Sequence, residues 1–598
     1  MALLVCCCFG VMVTLGMQPA QSQSGYLAKG TGGAVASGDA LATQIGIDVM
    51  TAGGNAVDAA VATAAALGIV EPFASGIGGG GFMVIYRPDA SQPNQASVIT
   101  LDGREKAPAA TTPDLFRDPD SPTGEPLPFF PNRISSGLGV GIPGTPLNWA
   151  TAVERYGSRP LAELLQPALA LAETGFVVDE AFVEQIKQHQ DRFAAFSSTR
   201  SLYLPNGNLP PIGSRLRNPD LAKSYQLLAE EGVNAFYRGE MGQAIVQTVQ
   251  QPPVVAESPF KVWPGRMTLA DMDQYEVRVR PATESTYRGN RFYGMGLPSS
   301  GGITVAQTLN LLEGYNLSDM SPAQVLHLLI EAERLAFADR GVYLGDPEYV
   351  DVPVVGLLNK QYADERRSEI PERAPNNESD YRAIAGNPLP YQQDPSPSLS
   401  TPPTVAATTD TEGMSTTHLT VADSNGMVVS YTLTIESTGG SGMVVPGYGF
   451  ILNNELTDFD VSVPHPNVPE PGKRPRSSMA PTITVEPDGS VFAFGSPGGS
   501  TIITTVLNMV IDRFDLGLSL EESVSGPRLS QRNRGITEVD LGFENTEIGK
   551  ALTAEYGHQL VPDDDIGAVT GIVMTPEREM YVIAEPARRG GGSAMTVR

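Results

Sequence analysis

An α+β fold is predicted for this 598-residue chain by three features: paired helical segments that precede strands, long stretches of helical apolar period, and a late antiparallel hairpin. Ser37 and Asp39 can cap a helix over residues 40–50, stopped by Gly53 and Gly54. Asn55 can cap a second, Ala-rich helix ending near Pro72, and the two are expected to pack as a hairpin. The run Ser75-Gly-Ile-Gly-Gly-Gly-Gly81 leads into strands over 82–86 and 97–101. Residues 147–242 and 306–340 carry the helical period, with Thr145 and Ser321 as capping candidates, and are read as outer layers. Residues 387–413 are rich in Pro, Ser, Thr and Asp and follow neither period, which predicts a mobile linker. Directly after it, strands over 416–422 and 427–433 flank Asp423-Ser-Asn-Gly426, whose Asn-Gly supplies the positive φ angles of a tight turn. Thr416 therefore stands where a linker meets a strand.

The composition narrows the chemistry. Forty Lys and Arg stand against 67 Asp and Glu, a net charge of −27, so the surface repels phosphate backbones and nucleic acid is excluded as a partner. Hydrophobic residues make up 41%, enough for a sizeable core, while 63 Gly and 49 Pro exclude a long coiled coil. All three cysteines, Cys6, Cys7 and Cys8, lie in an apolar run over 3–15, and no charged residue precedes Lys29. This reads as a secretory leader over about residues 1–24, cleaved near Ala20. A mature chain without cysteine has no disulfide, thiolate zinc site or thiol nucleophile. The apolar stretch over 59–70 falls short of the roughly 20 residues that span a bilayer. The expectation is export to periplasm or medium, without a stable membrane anchor in the mature form.

Several familiar motifs fail on inspection. Gly76-x-Gly78-x-x-Gly81 matches a dinucleotide fingerprint as a string, but it lies between a helix and a strand in the wrong order, so it reads as a tight turn with close backbone packing. No cofactor is expected. His189, His327, His418, His465 and His558 lack ligand spacing, and no metal site is expected. No G-x-S-x-G elbow occurs.

A threonine nucleophile remains, and here the sequence resembles the gamma-glutamyltranspeptidase family. The resemblance runs through Asp102-Gly-Arg104-Glu105-Lys-Ala-Pro108, Val140-Gly-Ile-Pro-Gly144, Leu297-Pro-Ser-Ser-Gly-Gly302, Ala338-Asp-Arg340 with Leu344-Gly-Asp-Pro347, Thr416-Thr-His418, Leu452-Asn-Asn-Glu455 with Asp458-Phe459, Arg474-Pro-Arg-Ser-Ser-Met479 and Gly495-Ser-Pro-Gly-Gly-Ser500. Any one of these would be weak; together, in the family's order, they are specific. The resemblance implies an N-terminal-nucleophile hydrolase fold, an αββα four-layer sandwich with two central antiparallel sheets. It also implies a proenzyme that cuts itself between Ser415 and Thr416. Residues 25–415, with the linker over about 387–415, would form a large subunit and 416–598 a small one, together a heterodimer within one integrated fold.

The residue types suit that chemistry. After the cut, Thr416 would carry both the nucleophilic hydroxyl and a free α-amine, whose ordinary pKa of about 7.7 to 8.0 lets it act as base near neutrality. Thr432 matches the family position whose hydroxyl bonds the nucleophile, and Gly498 and Gly499 match the oxyanion hole, ahead of a helix over 502–514. A γ-glutamyl donor such as glutathione ends in an α-carboxylate and an α-ammonium. The resemblance gives the carboxylate to Arg104, Ser477 and Ser478 and the ammonium to Glu455 and Asp458, with Glu105 orienting Arg104. Taken singly, each has an ordinary explanation as a surface ion pair, turn or strand residue.

Two departures stand out. Many members carry Asn two residues after the position of Thr432; here Thr434 stands there, followed by Glu436, which either replaces the missing amide or faces solvent. The segment over 460–473 is short, Pro-rich and without the tyrosine that covers the site in some members, so a lidless acyl site open to larger acceptors is expected. The function implied is a γ-glutamyltransferase and glutathione hydrolase passing the acyl group to amino acids, peptides or water. Its rivals are a related acylase acting on glutaryl or poly-γ-glutamyl substrates, and an inactive secreted binding protein of the same fold.

Overall fold

In the computed structural model, residues 25–88, 96–375, 381–392 and 415–597 are described. The leader over 1–24 and most of the 387–415 linker lie outside the described residues. Asp39 and Asn55 cap the helices Ala40–Thr51 and Ala56–Val70, Asn55 in a capping box with Asp58, and the two helices pack together. Ser321 caps Pro322–Tyr343 in the same way. Thr145, in contrast, is the first residue of its helix and not the cap. The amides of Gly144 and Thr145 both donate to the Gly79 carbonyl, at 2.8 and 3.0 Å, and the Leu147 amide donates to the Tyr237 hydroxyl at 3.3 Å, so the helix start is satisfied from outside and Thr145 need not cap it. The 147–242 region divides into several short helices, because Pro160, Gly175, Gly207, Gly232 and Gly239 interrupt it.

Two seven-stranded sheets form the centre, and every pairing within them is antiparallel. The first sheet runs Ser593–Thr596, Gly33–Ser37, Thr417–Asp423, Val428–Thr434, Gly80–Pro88, Ala96–Gly103, Arg278–Arg280. The second runs Leu27–Gly30, Met580–Ala584, Thr570–Met574, Val491–Gly495, Thr482–Val485, Asn290–Gly294, Thr283–Tyr287.

The period-two alternation of the strands decides the layering. Val35, Met83, Ile85, Leu419 and Val421 pack with the Ala56–Val70 helix, whereas Ala34, Ala36, Val84 and Ala422 face the second sheet and meet Ile483, Ala493, Ile572 and Val582. On the far side, Phe492, Phe494 and Ile583 pack with the helices Gly301–Leu312, Pro322–Tyr343 and Thr501–Phe514. The layers are therefore helix, sheet, sheet, helix. Among the described residues no helix is long and apolar enough to cross a membrane.

Candidate active site

Register gathers the predicted residues at one end of the two sheets. Thr434 pairs with Gly80 and Gly81 with Gly103, so the end of the Val428–Thr434 strand lies beside the turn that leads to Arg104. In the second sheet Thr482 pairs with Phe494, which sets Ser477 and Ser478, just before one strand, near Gly498 and Gly499, just after its neighbour. The glycines make this approach possible. A Cβ on Gly78, Gly79 or Gly81 would strike the carbonyl of Ile451, Thr434 or Thr432, so the Gly-rich run is a backbone contact surface.

Thr417 pairs with Leu433 and His418 with Thr432, so Thr416 falls opposite Thr434. The Thr416 hydroxyl sits against the Ser415 carbonyl oxygen and 3.1 Å from Thr434 Oγ1; its single proton serves one of the two at a time. Thr434 Oγ1 lies 3.0 Å from the same carbonyl as a donor, and accepts the Glu436 amide at 2.9 Å. The expected partner Thr432 is not in contact with Thr416. Its hydroxyl lies 2.8 Å from His418 Nδ1, because one strand pair separates it from Thr416. Burial pushes the His418 imidazole down to about 3, so it is neutral, held among the hydroxyls of Thr420, Ser430 and Thr432.

Ser415 and Thr416 share one small cavity with Arg104, Thr434, Glu436, Glu455, Asp458, Ser477, Ser478 and Gly499. Thr432 and Gly498 stand outside its lining. Gly498 and Gly499 have φ of 131° and 57° and lead directly into the Thr501–Phe514 helix. Arg104 donates to Glu455, to Asp458 at 2.5 Å, and to the carbonyls of Pro475 and Arg476 at 3.1 and 2.8 Å. These partners orient its guanidinium. Glu105, expected in that role, turns instead toward Glu455 and Gly80.

Burial disfavours the Arg104 charge, but Glu455, Asp458 and Glu105 more than offset this and keep it protonated. Burial also raises the carboxyls of Glu105, to about 8, and Glu455, so near neutrality a proton stays between these neighbours. Glu436 does not face solvent: it is buried at φ 80°, its carboxylate accepting from Ser437 Oγ at 2.5 Å and from Asn454.

Several supporting residues were not singled out from sequence, although two lie in segments that carried the resemblance. Asn453 ties the site together, donating to the carbonyls of Gly78 and Gly141 at 2.8 and 2.9 Å and accepting from the amides of Gly141 and Glu455 at 2.9 and 3.0 Å. Arg340 donates to Ser478 Oγ at 2.7 Å. Glu71 accepts from Thr417 Oγ1 at 2.8 Å, and burial pushes its carboxyl up to about 7. It lines a second cavity of about 280 Å³ that also reaches Ser415 and Thr416, together with Arg589, which is paired to Asp565. Only tertiary contact gives Glu71 and Arg589 this setting, and nothing in their local sequence signals it.

Residues 42–595 match the family model described as gamma-glutamyltranspeptidase. A glutathione hydrolase proenzyme of Bacillus subtilis (strain 168) is 37% identical over 574 residues, 95% of this chain and 92% of that relative. One from Escherichia coli (strain K12) is 34% identical over 93% of this chain and 90% of its own length. The crystal structure of a cephalosporin acylase from Bacillus halodurans superposes with a TM-score of 0.79 at 26% identity, covering 98% of this chain and 99% of that one. With the threonine hairpin, the Arg104 cluster and all of the two-sheet sandwich beyond its first two strands, but for the last residue of its final strand, inside the matched span, the chain belongs to the gamma-glutamyltranspeptidase family.

Proposed function

We propose that this chain is a self-cleaving γ-glutamyltransferase and glutathione hydrolase that works through a γ-glutamyl ester on Thr416. One observation carries the reading: the Thr416 hydroxyl rests against the Ser415 carbonyl, bridged by Thr434, at the edge of a cavity that pairs one arginine with several acids. In the precursor, Thr416 Oγ1 passes its proton toward Thr434 and attacks the Ser415 carbonyl carbon while Thr434 donates to the carbonyl oxygen. The C–N bond breaks, nitrogen takes a proton, and water hydrolyses the resulting ester. Ser415 ends as a carboxylate and Thr416 as a free amine.

In turnover the amine accepts the Thr416 hydroxyl proton, and the oxygen attacks the γ-carbonyl carbon of the donor. The Gly498 and Gly499 amides stabilise the oxyanion, the leaving amine takes the proton, and an acceptor amine or water resolves the ester. A donor enters by exchange: its α-carboxylate takes Arg104, Ser477 and Ser478, and its α-ammonium takes Glu455 and Asp458. The two chains made by the cut would remain a heterodimer, exported by way of the leader. The open 460–473 side would admit large acceptors.

The acylase reading has its own support in the similarity to a cephalosporin acylase and in the absence of a tyrosine over 460–473. The charges favour the first reading. Glu105, Glu455 and Asp458 outnumber Arg104, and a glutaryl group would occupy the arginine while bringing no cation for the acids. Initial rates on γ-glutamyl p-nitroanilide and glutaryl p-nitroanilide decide between them. The γ-glutamyl compound is expected to be preferred by at least about ten-fold, the worth of one charge-assisted contact; equal rates or the reverse preference would establish the acylase.

A further inference from the structure

A serine hydroxyl helps a carboxylate only when its proton is turned toward it. Ser477 Oγ accepts from the Met479 amide at 3.2 Å, and Ser478 Oγ accepts from an Arg340 Nη at 2.7 Å. Each oxygen thus has a lone pair engaged by the protein and its proton left for a partner in the cavity. Arg340 does more than this. Its Nε donates to Ser300 Oγ at 2.9 Å, and both the hydroxyl and the amide of Ser300 donate to the Ser477 carbonyl at 2.7 Å. Arg340 is buried on the Pro322–Tyr343 helix, beside the Phe337 ring, and does not line the cavity.

We propose that Arg340 is a positioning residue for the donor's α-carboxylate: its fork fixes the Ser477 backbone through Ser300 and turns the Ser478 hydroxyl proton into the acyl pocket. The inference rests on the γ-glutamyl reading of that pocket. A guanidinium suits the task because two of its N–H groups diverge in one plane toward two separate hydroxyls, whereas an ammonium is a point charge without that fork.

Steady-state kinetics on γ-glutamyl p-nitroanilide tests it, comparing wild type with Arg340→Gln, Arg340→Lys, Ser478→Ala and Arg340→Gln/Ser478→Ala, each checked for two chains and an unchanged Tm. Arg340→Gln and Ser478→Ala are each expected to raise KM about ten-fold, the size of one hydrogen bond to a charged group, with kcat within about three-fold. Arg340→Lys is expected to fall between Arg340→Gln and wild type. The double variant is expected to match the weaker-binding single, because both changes remove one contact. Toward a donor amidated at its α-carboxyl, Arg340→Gln and wild type are expected to share one KM. An unchanged KM in either Arg340 variant, a loss confined to kcat, or multiplicative losses in the double variant would overturn the assignment. Uncut chains from both Arg340 variants would also overturn it, by placing Arg340 in self-cleavage or folding. A wild type inactive on the anilide would instead defeat the γ-glutamyl reading itself.

Discussion

Thr432 and Thr434 sit two residues apart on one strand face, and their hydroxyls have different partners. Thr434 touches both the Thr416 hydroxyl, the proposed nucleophile, and the Ser415 carbonyl, while Thr432 closes a buried bond to neutral His418. Thr434→Val is therefore expected to slow self-cleavage by about 10- to 100-fold, the worth of a hydrogen bond to a developing charge. Thr432→Val is expected to cost about 1–3 kcal/mol of stability by orphaning the imidazole nitrogen, with kcat little changed. Timed gels of the precursor and thermal melts read these two outcomes, and equal slowing by both variants would contradict the assignment. Glu105 gives a pH signature. Folding raises its carboxyl from 4.5 to about 8, so the native state holds a proton that the unfolded chain releases. Its contribution is complete below about pH 4.5 and is lost as pH climbs through about 8. Between pH 6 and 9, Glu105→Gln is expected to lose less Tm than wild type; parallel losses would contradict this.

The glycine turns are where side-chain freedom is given up for geometry. A Cβ on Gly79 would meet the Thr434 carbonyl, and one on Gly498 would meet Thr501 Oγ1 at a position of φ 131°. Gly498→Ala is expected to lower kcat by about 10²–10³-fold, as for the loss of an oxyanion donor, with KM changed far less. A kcat within a few-fold of wild type in the cut, folded variant would contradict that role. The helical hairpin, its Asp39 and Asn55 caps and the place of the Asp423–Gly426 turn were legible in sequence because each rests on a local device: an Asx cap, a Gly stop, a glycine at positive φ. The turn itself differs from the expected one, since Gly426 alone has positive φ, 90°, and Asn425 does not share it. The Thr416–Thr434 pairing was not, because a two-residue change of register exchanges Thr434 for Thr432 as the neighbour while every side chain keeps its face and the hydrophobic pattern is almost unaltered. Glu105 misled for a related reason. Its place next to Arg104 in the chain suggests a partner, yet the ion pairs come from Glu455 and Asp458, some 350 residues away.

Over the whole molecule, segments from either side of the proposed cut alternate within both sheets. In the first sheet the strands Gly33–Ser37 and Gly80–Pro88 enclose Thr417–Asp423 and Val428–Thr434; in the second, Leu27–Gly30 and Asn290–Gly294 flank strands that lie after residue 416. Cleavage between 415 and 416 severs one bond and no sheet, so the two chains should co-elute under native conditions and melt in one transition. The layered architecture was legible from the family's motifs, whereas the interleaving that would hold the two proposed chains together emerges only from strand order. A denaturing gel of the wild type beside Thr416→Ala, with N-terminal sequencing of the smaller band, tests the mechanism most directly. Two wild-type chains, the smaller beginning at Thr416, and one uncut Thr416→Ala chain are expected; an intact wild-type chain fully active on γ-linked glutamate would contradict it.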